Sequence, residues 1–261
     1  RMPDRNIAIG VLVSGMGGLT VLKEITEVNL EEDTIYYADA GNCPYGEKSR
    51  DEIIRLTDKA VQFLLSRDVK LIVIACNTAT TSAIGFLRSE YDIPFVAMEP
   101  AVKPAVLNSK TGVIGVLATK CTIEGEALKK LCRRWGEQAR IIPVEGHGLV
   151  EIVEHNREES SETYRLLSDY IGMMAKEKAD HIVLGCTHYP FLEKQIKAII
   201  GDRDIRIVNP APAIAARVKD LLRESNLLNK GNKAGRHSYY SSSTEEYTSD
   251  LQNKIRNLRE E

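Results

Sequence analysis

The sequence predicts an α/β fold with doubly wound, parallel-type sheets. Apolar segments of strand length alternate with helical segments along the chain, which is typical of parallel sheets covered by helices. The apolar runs at 71–75 and 182–184 are continuous, as expected of strands that a sheet buries on both faces. Each run leads to a cysteine, Cys76 or Cys186, and then to polar residues and a further helix.

A second pair of segments is echoed in the same order. Gly-Val-Leu-Val-Ser at 10–14 returns as Gly-Val-Leu-Ala-Thr at 115–119, ahead of the second cysteine strand. A duplication would explain both echoes and would bring one cysteine from each half to a shared cleft. The alternative is that buried strands resemble one another and end in small residues anyway, and the sequence leaves both explanations open.

The first strand, at 7–13, runs into a glycine-rich turn at 14–20 and then a helix that ends near residue 27. Such a turn suits an anion, because the backbone can approach the ligand closely. Two of its glycines, with Asp39 at the end of the next strand, partly imitate a dinucleotide-binding pattern. Thr20 stands where that pattern needs a third glycine, so no nicotinamide cofactor is predicted.

Turn residues fill the loop that follows the second strand. The backbone N–H groups of Tyr45 and Gly46 belong either to an ordinary turn or to a site that holds a carboxylate. Ser49 and Glu52 then form a capping box, which begins an amphipathic helix leading to the first cysteine strand.

The rest of the chain continues the alternation of strands and helices. Thr119 and Thr122 begin a helix, which they either cap or leave open to an anionic ligand. Glu151 and Glu154 lie on a short helix. The other strands are predicted at 35–38, 93–98, 112–118, 140–144, 205–208 and 237–241, and the other helices at 49–66, 80–91, 102–108, 119–135, 161–178, 190–200, 213–223 and 244–259.

Composition narrows the class of protein. The chain has 261 residues, of which 43% are hydrophobic and 28% charged, and its net charge is −2. This length and hydrophobic content suffice for one large domain or two of ordinary size. Basic residues are scattered, so nucleic acid is not a predicted partner. No apolar run approaches the roughly 18 residues that a membrane span needs, and no signal-peptide pattern opens the chain. We therefore predict a cytoplasmic protein without membrane attachment.

The cysteine pattern predicts reduced thiols. There are five cysteines, an odd number in a chain that is not small, and no Cys-x-x-Cys pair. Cys186 and His188 alone are too few for a tetrahedral zinc site, so no metal site is predicted.

Two cysteines at the carboxyl ends of strands, each beside a helix N-terminus, predict proton transfer at carbon. A helix N-terminus lowers a thiol pKa from about 8.5 toward neutrality. One thiolate can then remove a proton and a thiol on the opposite face can return one, which inverts a stereocentre without a cofactor. Two alternatives stay open: inert buried cysteines, and a cysteine hydrolase that uses Cys76 and His188, which leaves Cys186 without a role.

Six segments resemble glutamate racemase, a member of the aspartate/glutamate racemase superfamily. The resemblance covers about residues 7–208, and the combination of both cysteine motifs is highly specific. The wider superfamily shares the two cysteines but usually not the Thr-His-Tyr-Pro run. The segments are Ser14-Gly15-x-Gly17-Gly18-Leu19-Thr20, Pro44-Tyr45-Gly46, Cys76-Asn77-Thr78-Ala79, Glu99-Pro100, Thr119 with Thr122, and Gly185-Cys186-Thr187-His188-Tyr189-Pro190.

The resemblance implies a cofactor-independent racemase that interconverts L- and D-glutamate in the cleft between two pseudo-symmetric domains. It implies that Cys76 is the base for D-glutamate, that Cys186 is the base for L-glutamate, and that His188 assists Cys186. The implied substrate-binding residues are Ser14, Pro44, Tyr45, Gly46, Asn77, Thr78, Thr119, Thr122 and Thr187. It further implies a homodimer that supplies D-glutamate for peptidoglycan, with domains at 1–99 plus 210–261 and at 100–209.

Val13 departs from the resemblance, because the family carries an aspartate immediately before this Ser-Gly pair. That aspartate assists proton transfer at the first cysteine, and valine can neither accept a proton nor hold an amine. Loss of one acid–base helper typically costs about 10²–10⁴-fold in rate. The expectation is a racemase with weakened activity; the alternatives are a racemase for aspartate or another small acid, and a catalytically impaired carboxylate-binding homologue.

Overall fold

The computed structural model describes residues 7–260. These residues form two compact units: the second is Glu99–Pro210, and the first comprises the described residues up to Met98 together with those from Ala211 onward. Both units alternate strands and helices, and all strand pairs are parallel. The predicted α/β class with parallel sheets is confirmed.

The strands lie close to their predicted positions. They are β1 (Ile9–Val13), β2 (Thr34–Ala38), β3 (Leu71–Ile74), β4 (Phe95–Ala97), β5 (Val113–Ala118), β6 (Arg140–Glu145), β7 (His181–Leu184), β8 (Arg206–Val208) and β9 (His237–Ser241). The helices are α1 (Leu19–Val28), α2 (Arg50–Leu65), α3 (Asn77–Glu90), α4 (Val102–Asn108), α5 (Lys120–Glu124), α6 (Glu126–Trp135), α7 (Leu149–Glu154), α8 (Ser161–Lys176), α9 (Glu193–Ile200), α10 (Ala211–Glu224) and α11 (Glu245–Glu260).

The two sheets share one strand order. The first sheet runs β4-β3-β1-β2-β9 and the second runs β8-β7-β5-β6, so that β1 to β4 correspond to β5 to β8. The extra strand β9 pairs with β2 at the edge of the first sheet. The sequence echoes fall on corresponding strands, β1 with β5 and β3 with β7, which favours duplication over chance likeness.

Glycines at corresponding positions make room for corresponding helices. A side chain at Gly10 in β1 would stand 3.1 Å from Leu64 of α2, and one at Gly115 in β5 would collide with Met174 of α8. Each helix precedes the strand that leads to a cysteine. The glycines therefore let that helix lie close against the centre of its sheet.

Three helix predictions need correction. Helix α3 begins at Asn77 rather than Thr80, because the Cys76 side chain caps it. The single helix predicted over 119–135 is two helices, separated where Gly125 adopts an extended conformation (φ −73°, ψ 149°). The helix predicted from Pro190 opens with a 3₁₀ turn, Tyr189–Leu192, before α9. None of the helices in the range 7–260 is long and apolar enough to cross a membrane.

The amino edge of the first sheet is held by a buried ion pair. Lys70 Nζ lies 2.5 Å from a carboxylate oxygen of Glu32, and both side chains are almost fully buried. Lys70 also donates to the carbonyl of Leu227, and Glu32 accepts from the backbone N–H of Asn229. Breaking a buried ion pair leaves an uncompensated charge, so Lys70 and Glu32 stay in place. Their hydrogen bonds to the backbone of Leu227 and Asn229 therefore attach the C-terminal segment to the first sheet.

Candidate active site

Cys76 stands at the carboxyl end of β3, where the chain enters α3. Its side chain is 6% exposed and caps the helix by accepting a hydrogen bond from the Ala79 N–H at 3.4 Å. The thiol lies 3.9 Å from Ser14 Oγ, at the corresponding end of β1. A donor from a helix N-terminus favours the thiolate form of cysteine, so this position suits a base.

Asn77 adds an unusual polar group beside Cys76. It is 3% exposed, and neither its side-chain nitrogen nor its side-chain oxygen has a hydrogen-bond partner among residues 7–260. Buried amides are normally paired, since leaving one unpaired costs about 1–3 kcal/mol. Thr78 follows it and is similarly buried. An amide held in this way is available to a ligand that carries both donors and acceptors.

The loop after β2 presents a tyrosine and free backbone donors. Tyr45 donates its hydroxyl to Asp39 at 2.5 Å, and burial followed by the negative charge of Asp39 raises the pKa of Tyr45 well above its usual value. The phenol is therefore a neutral donor at physiological pH. Within the described chain, the backbone N–H groups of Tyr45 and Gly46 donate to no other group. Pro44, before them, follows a cis peptide bond.

Val13 occupies the end of β1 between the two neighbouring strands. Its carbonyl accepts from the Asp39 N–H at 2.9 Å, and the residue before it, Leu12, accepts from Ala75. The side chain is 1% exposed. It packs so closely against Gly18 that a side chain added at Gly18 would lie 2.9 Å from it. Position 13 is thus buried beside the residue that precedes Cys76, and valine gives it no proton-transfer group.

Cys186 stands at the equivalent place in the second unit, after β7. Gly185, the residue before it, pairs with Leu117, as Ala75 pairs with Leu12 in the first unit. A side chain at Gly185 would come within 2.9 Å of Ala118, so only glycine allows this close passage. Cys186 is 8% exposed.

His188 links Cys186 to Glu154. Its Nδ1 lies 3.7 Å from the Cys186 sulfur, and its Nε2 lies 2.6 Å from a Glu154 carboxylate oxygen on α7. Burial lowers the pKa of His188, but the hydrogen bonds to Cys186 and Glu154 and their charges outweigh it and raise the pKa to about 10. The imidazole is therefore protonated at neutral pH and places a positive charge beside the Cys186 sulfur.

Hydroxyl groups surround the same edge of the second sheet. Thr119, at the start of α5, makes no capping hydrogen bond with its side chain and instead donates to Thr122 at 3.4 Å. Thr187 and Tyr189 flank the histidine and are buried. Tyr189 donates to the Gly146 carbonyl, and a side chain at Gly146 would collide with this phenol.

The predicted site residues fall into two groups, one at the carboxyl edge of each sheet. The first sheet holds Ser14, Pro44, Tyr45, Gly46, Cys76, Asn77 and Thr78, and the second holds Thr119, Thr122, Cys186, Thr187 and His188. Asp39 and Glu154 join these groups, although neither was predicted to have a role there. Asp39 carried one usable signal, a polar residue at the carboxyl end of a strand, whereas Glu154 carried none.

Comparison with known proteins shows the family of the chain. The family model described as Asp/Glu/Hydantoin racemase matches residues 13–218. The chain is 43% identical to the glutamate racemase of Herpetosiphon aurantiacus over 87% of this chain and 89% of that protein.

Solved structures agree with the sequence relatives. A glutamate racemase isoform from Bacillus anthracis superposes with a TM-score of 0.88 at 29% identity, covering 97% of this chain and 95% of that one. The Escherichia coli glutamate racemase, solved with L-glutamate and the activator UDP-MurNAc-Ala, gives 0.84 at 28% identity, covering 97% and 95%. The chain belongs to the Asp/Glu/Hydantoin racemase family and, within it, to the glutamate racemases.

Proposed function

We propose that this protein interconverts L- and D-glutamate, with Cys76 and Cys186 acting on opposite faces of the same α-carbon and no cofactor. The observation that carries the proposal is the repeated cysteine at the carboxyl edge of each sheet, flanked by buried hydroxyl and amide groups. The Escherichia coli relative, solved with L-glutamate, supports the choice of substrate.

Starting from L-glutamate, the Cys186 thiolate removes the α-proton and becomes a thiol. The Cys76 thiol then delivers its own proton to the other face, which gives D-glutamate and leaves Cys76 as the thiolate. D-glutamate reacts in the reverse order. Protonated His188 holds Cys186 as the thiolate before the first step, and Glu154 holds the imidazolium in place.

The remaining polar groups suit the charged ends of glutamate. The free N–H groups of Tyr45 and Gly46 can hold a carboxylate, and the unpaired amide of Asn77 can serve both the ammonium and a carboxylate. Ser14, Pro44, Thr78, Thr119, Thr122 and Thr187 line the two half-sites in this proposal. The proposal places the protein in a bacterial cytoplasm as a homodimer, with the two compact units as its domains and with D-glutamate supplied to peptidoglycan.

A first experiment follows the α-proton of L-glutamate and, separately, of D-glutamate by proton NMR in D₂O, with chiral chromatography of the products. We expect exchange with inversion from both enantiomers and much slower reaction with aspartate. Because enantiomers have equal free energies, kcat/KM must be the same in the two directions. Equal turnover of aspartate, or no exchange with either glutamate enantiomer, would contradict the proposal.

Val13→Asp should accelerate the reaction. A carboxylate at the end of β1 would supply the acid–base helper that valine lacks, and such groups contribute about 10²–10⁴-fold; we expect a rise in kcat/KM of at least about tenfold, equal in both directions. Val13→Asn is the matched control, since it has the same shape but cannot accept a proton. Steady-state kinetics measure kcat/KM for both variants. If V13D is no faster than V13N, an acid–base group at position 13 does not assist the reaction.

Glu154→Gln should lower the pKa of His188, because it removes one of the negative charges that raise it. In the unmodified protein the ring keeps its proton until the pH approaches about 10. Since this value lies above that of an ordinary histidine, about 6.5, the protonated pair stabilises the fold fully below about pH 6.5 and loses its contribution as the pH rises through about 10.

Histidine-ring NMR across this pH range measures the change directly. The control is Glu151→Gln, which alters a neighbouring glutamate on the same helix and should leave the His188 titration in place. A His188 ring that titrates near pH 6.5 in the unmodified protein, or identically in E154Q, would contradict the assignment.

A further inference from the structure

One side chain from the C-terminal segment reaches the loop of the first half-site. Ser242 follows β9, and its N–H continues the pairing of that strand by donating to the Ala38 carbonyl at 3.0 Å. Its hydroxyl donates to Asp39 at 2.6 Å and accepts from the Gly41 N–H at 3.0 Å. A single hydroxyl thus joins a side chain and a backbone group at the start of the loop.

Asp39 connects Ser242 to the rest of the loop through further hydrogen bonds. One carboxylate oxygen accepts from Ser242 and from the Asn42 amide at 2.9 Å, and the other accepts from the Tyr45 hydroxyl at 2.5 Å. Asp39 is 4% exposed, so its orientation depends on these donors rather than on water. Removing the Ser242 donor leaves that carboxylate oxygen with only the Asn42 amide, which loosens the hold on Asp39 and, through Asp39, on Tyr45.

Close packing at Gly41 restricts the loop further. A side chain there would lie 3.0 Å from the Ser242 carbonyl, so the loop backbone runs directly against the residue after β9. The segment Ala40–Asn42 forms a 3₁₀ turn, closed by hydrogen bonds from the Asn42 and Cys43 N–H groups to the Asp39 and Ala40 carbonyls, before the chain reaches Tyr45. The contact between Gly41 and Ser242 therefore helps to fix the position of the Tyr45 and Gly46 N–H groups.

We propose that Ser242 is a positioning residue for substrate binding, which acts through Asp39 and Gly41 to hold the Tyr45–Gly46 backbone donors where a substrate carboxylate binds. The inference rests on the proposed function, since it assigns that carboxylate to glutamate. The C-terminal segment then contributes to the affinity for substrate in addition to the stability of the first unit.

Ser242→Ala tests the inference. The Tyr45 and Gly46 N–H groups hold a substrate carboxylate before the proton is moved as well as during its transfer, so their misplacement is expected to weaken binding of the ground state and the transition state alike. We expect KM to rise about 3- to 10-fold, in line with the net contribution of one ordinary hydrogen bond, with kcat within about twofold and the same effect for both enantiomers. Ser242→Thr keeps the hydroxyl and should restore KM.

Ser243→Ala is the matched control. Ser243 is the next residue and is exposed, as Ser242 is, but its hydroxyl makes no hydrogen bond within residues 7–260. Thermal melting of all three variants separates a change in affinity from a loss of stability. An S242A variant with unchanged KM, or an S242T variant that is as impaired as S242A, would overturn the inference.

Amide hydrogen–deuterium exchange of the loop provides a readout that needs no turnover. We expect the Gly41 and Asn42 amides to exchange faster in S242A than in S242T or S243A, while amides of β3 are unchanged. If the unmodified protein fails to react with glutamate, the proposed function fails, yet this exchange pattern still tests whether Ser242 holds the loop. Loop exchange that is identical in S242A and S243A would show that it does not.

Discussion

Each cysteine follows a strand that is buried on both faces, and the other groups of the half-site depend on this position at the end of the strand. Cys76 leads directly into helix α3, whereas Cys186, contrary to the sequence-based expectation, is followed by the 3₁₀ turn Tyr189–Leu192 and not by an α-helix N-terminus. Parallel strands end at the same edge of a sheet, so residues that follow β1, β2 and β3 become neighbours even though the sequence separates them. That geometry brings Ser14 to Cys76 and places the loop after β2 beside them. The second sheet repeats it with Cys186.

The two cysteines have different positively polarised neighbours. Cys186 has a formal cation, because hydrogen bonds to Cys186 and Glu154 keep His188 protonated. Cys76 has the Ala79 N–H and the partial charge of a helix N-terminus. Both thiols act in each direction of a racemisation, one as base and the other as acid, so a weaker half-site slows both directions equally and cannot make the reaction one-way.

Most of the fold could be predicted because its signals are local. The continuous apolar runs marked β3 and β7, and the capping box at Ser49 marked the start of α2, where Ser49 accepts from the Glu52 N–H. The true start of α3 was missed because cysteine is not among the preferred capping residues. The break at Gly125 depends on an extended backbone conformation that glycine permits but does not require.

The site could be predicted only where its residues adjoin a strand end. Glu154 contacts His188 from a separate helix, and Ser242 is 203 residues away from Asp39 in the sequence. Both contacts depend on tertiary packing, which no local sequence motif predicts.

In the proposed mechanism each cysteine serves one enantiomer, and α-proton exchange in D₂O by Cys76→Ala and Cys186→Ala tests this assignment most directly. We expect a reciprocal pattern without inversion: C76A still exchanges the α-proton of L-glutamate but not of D-glutamate, and C186A does the opposite. If C76A exchanged D-glutamate as fast as the unmodified protein does, Cys76 would not be the base for that enantiomer, and the two-cysteine mechanism would be wrong.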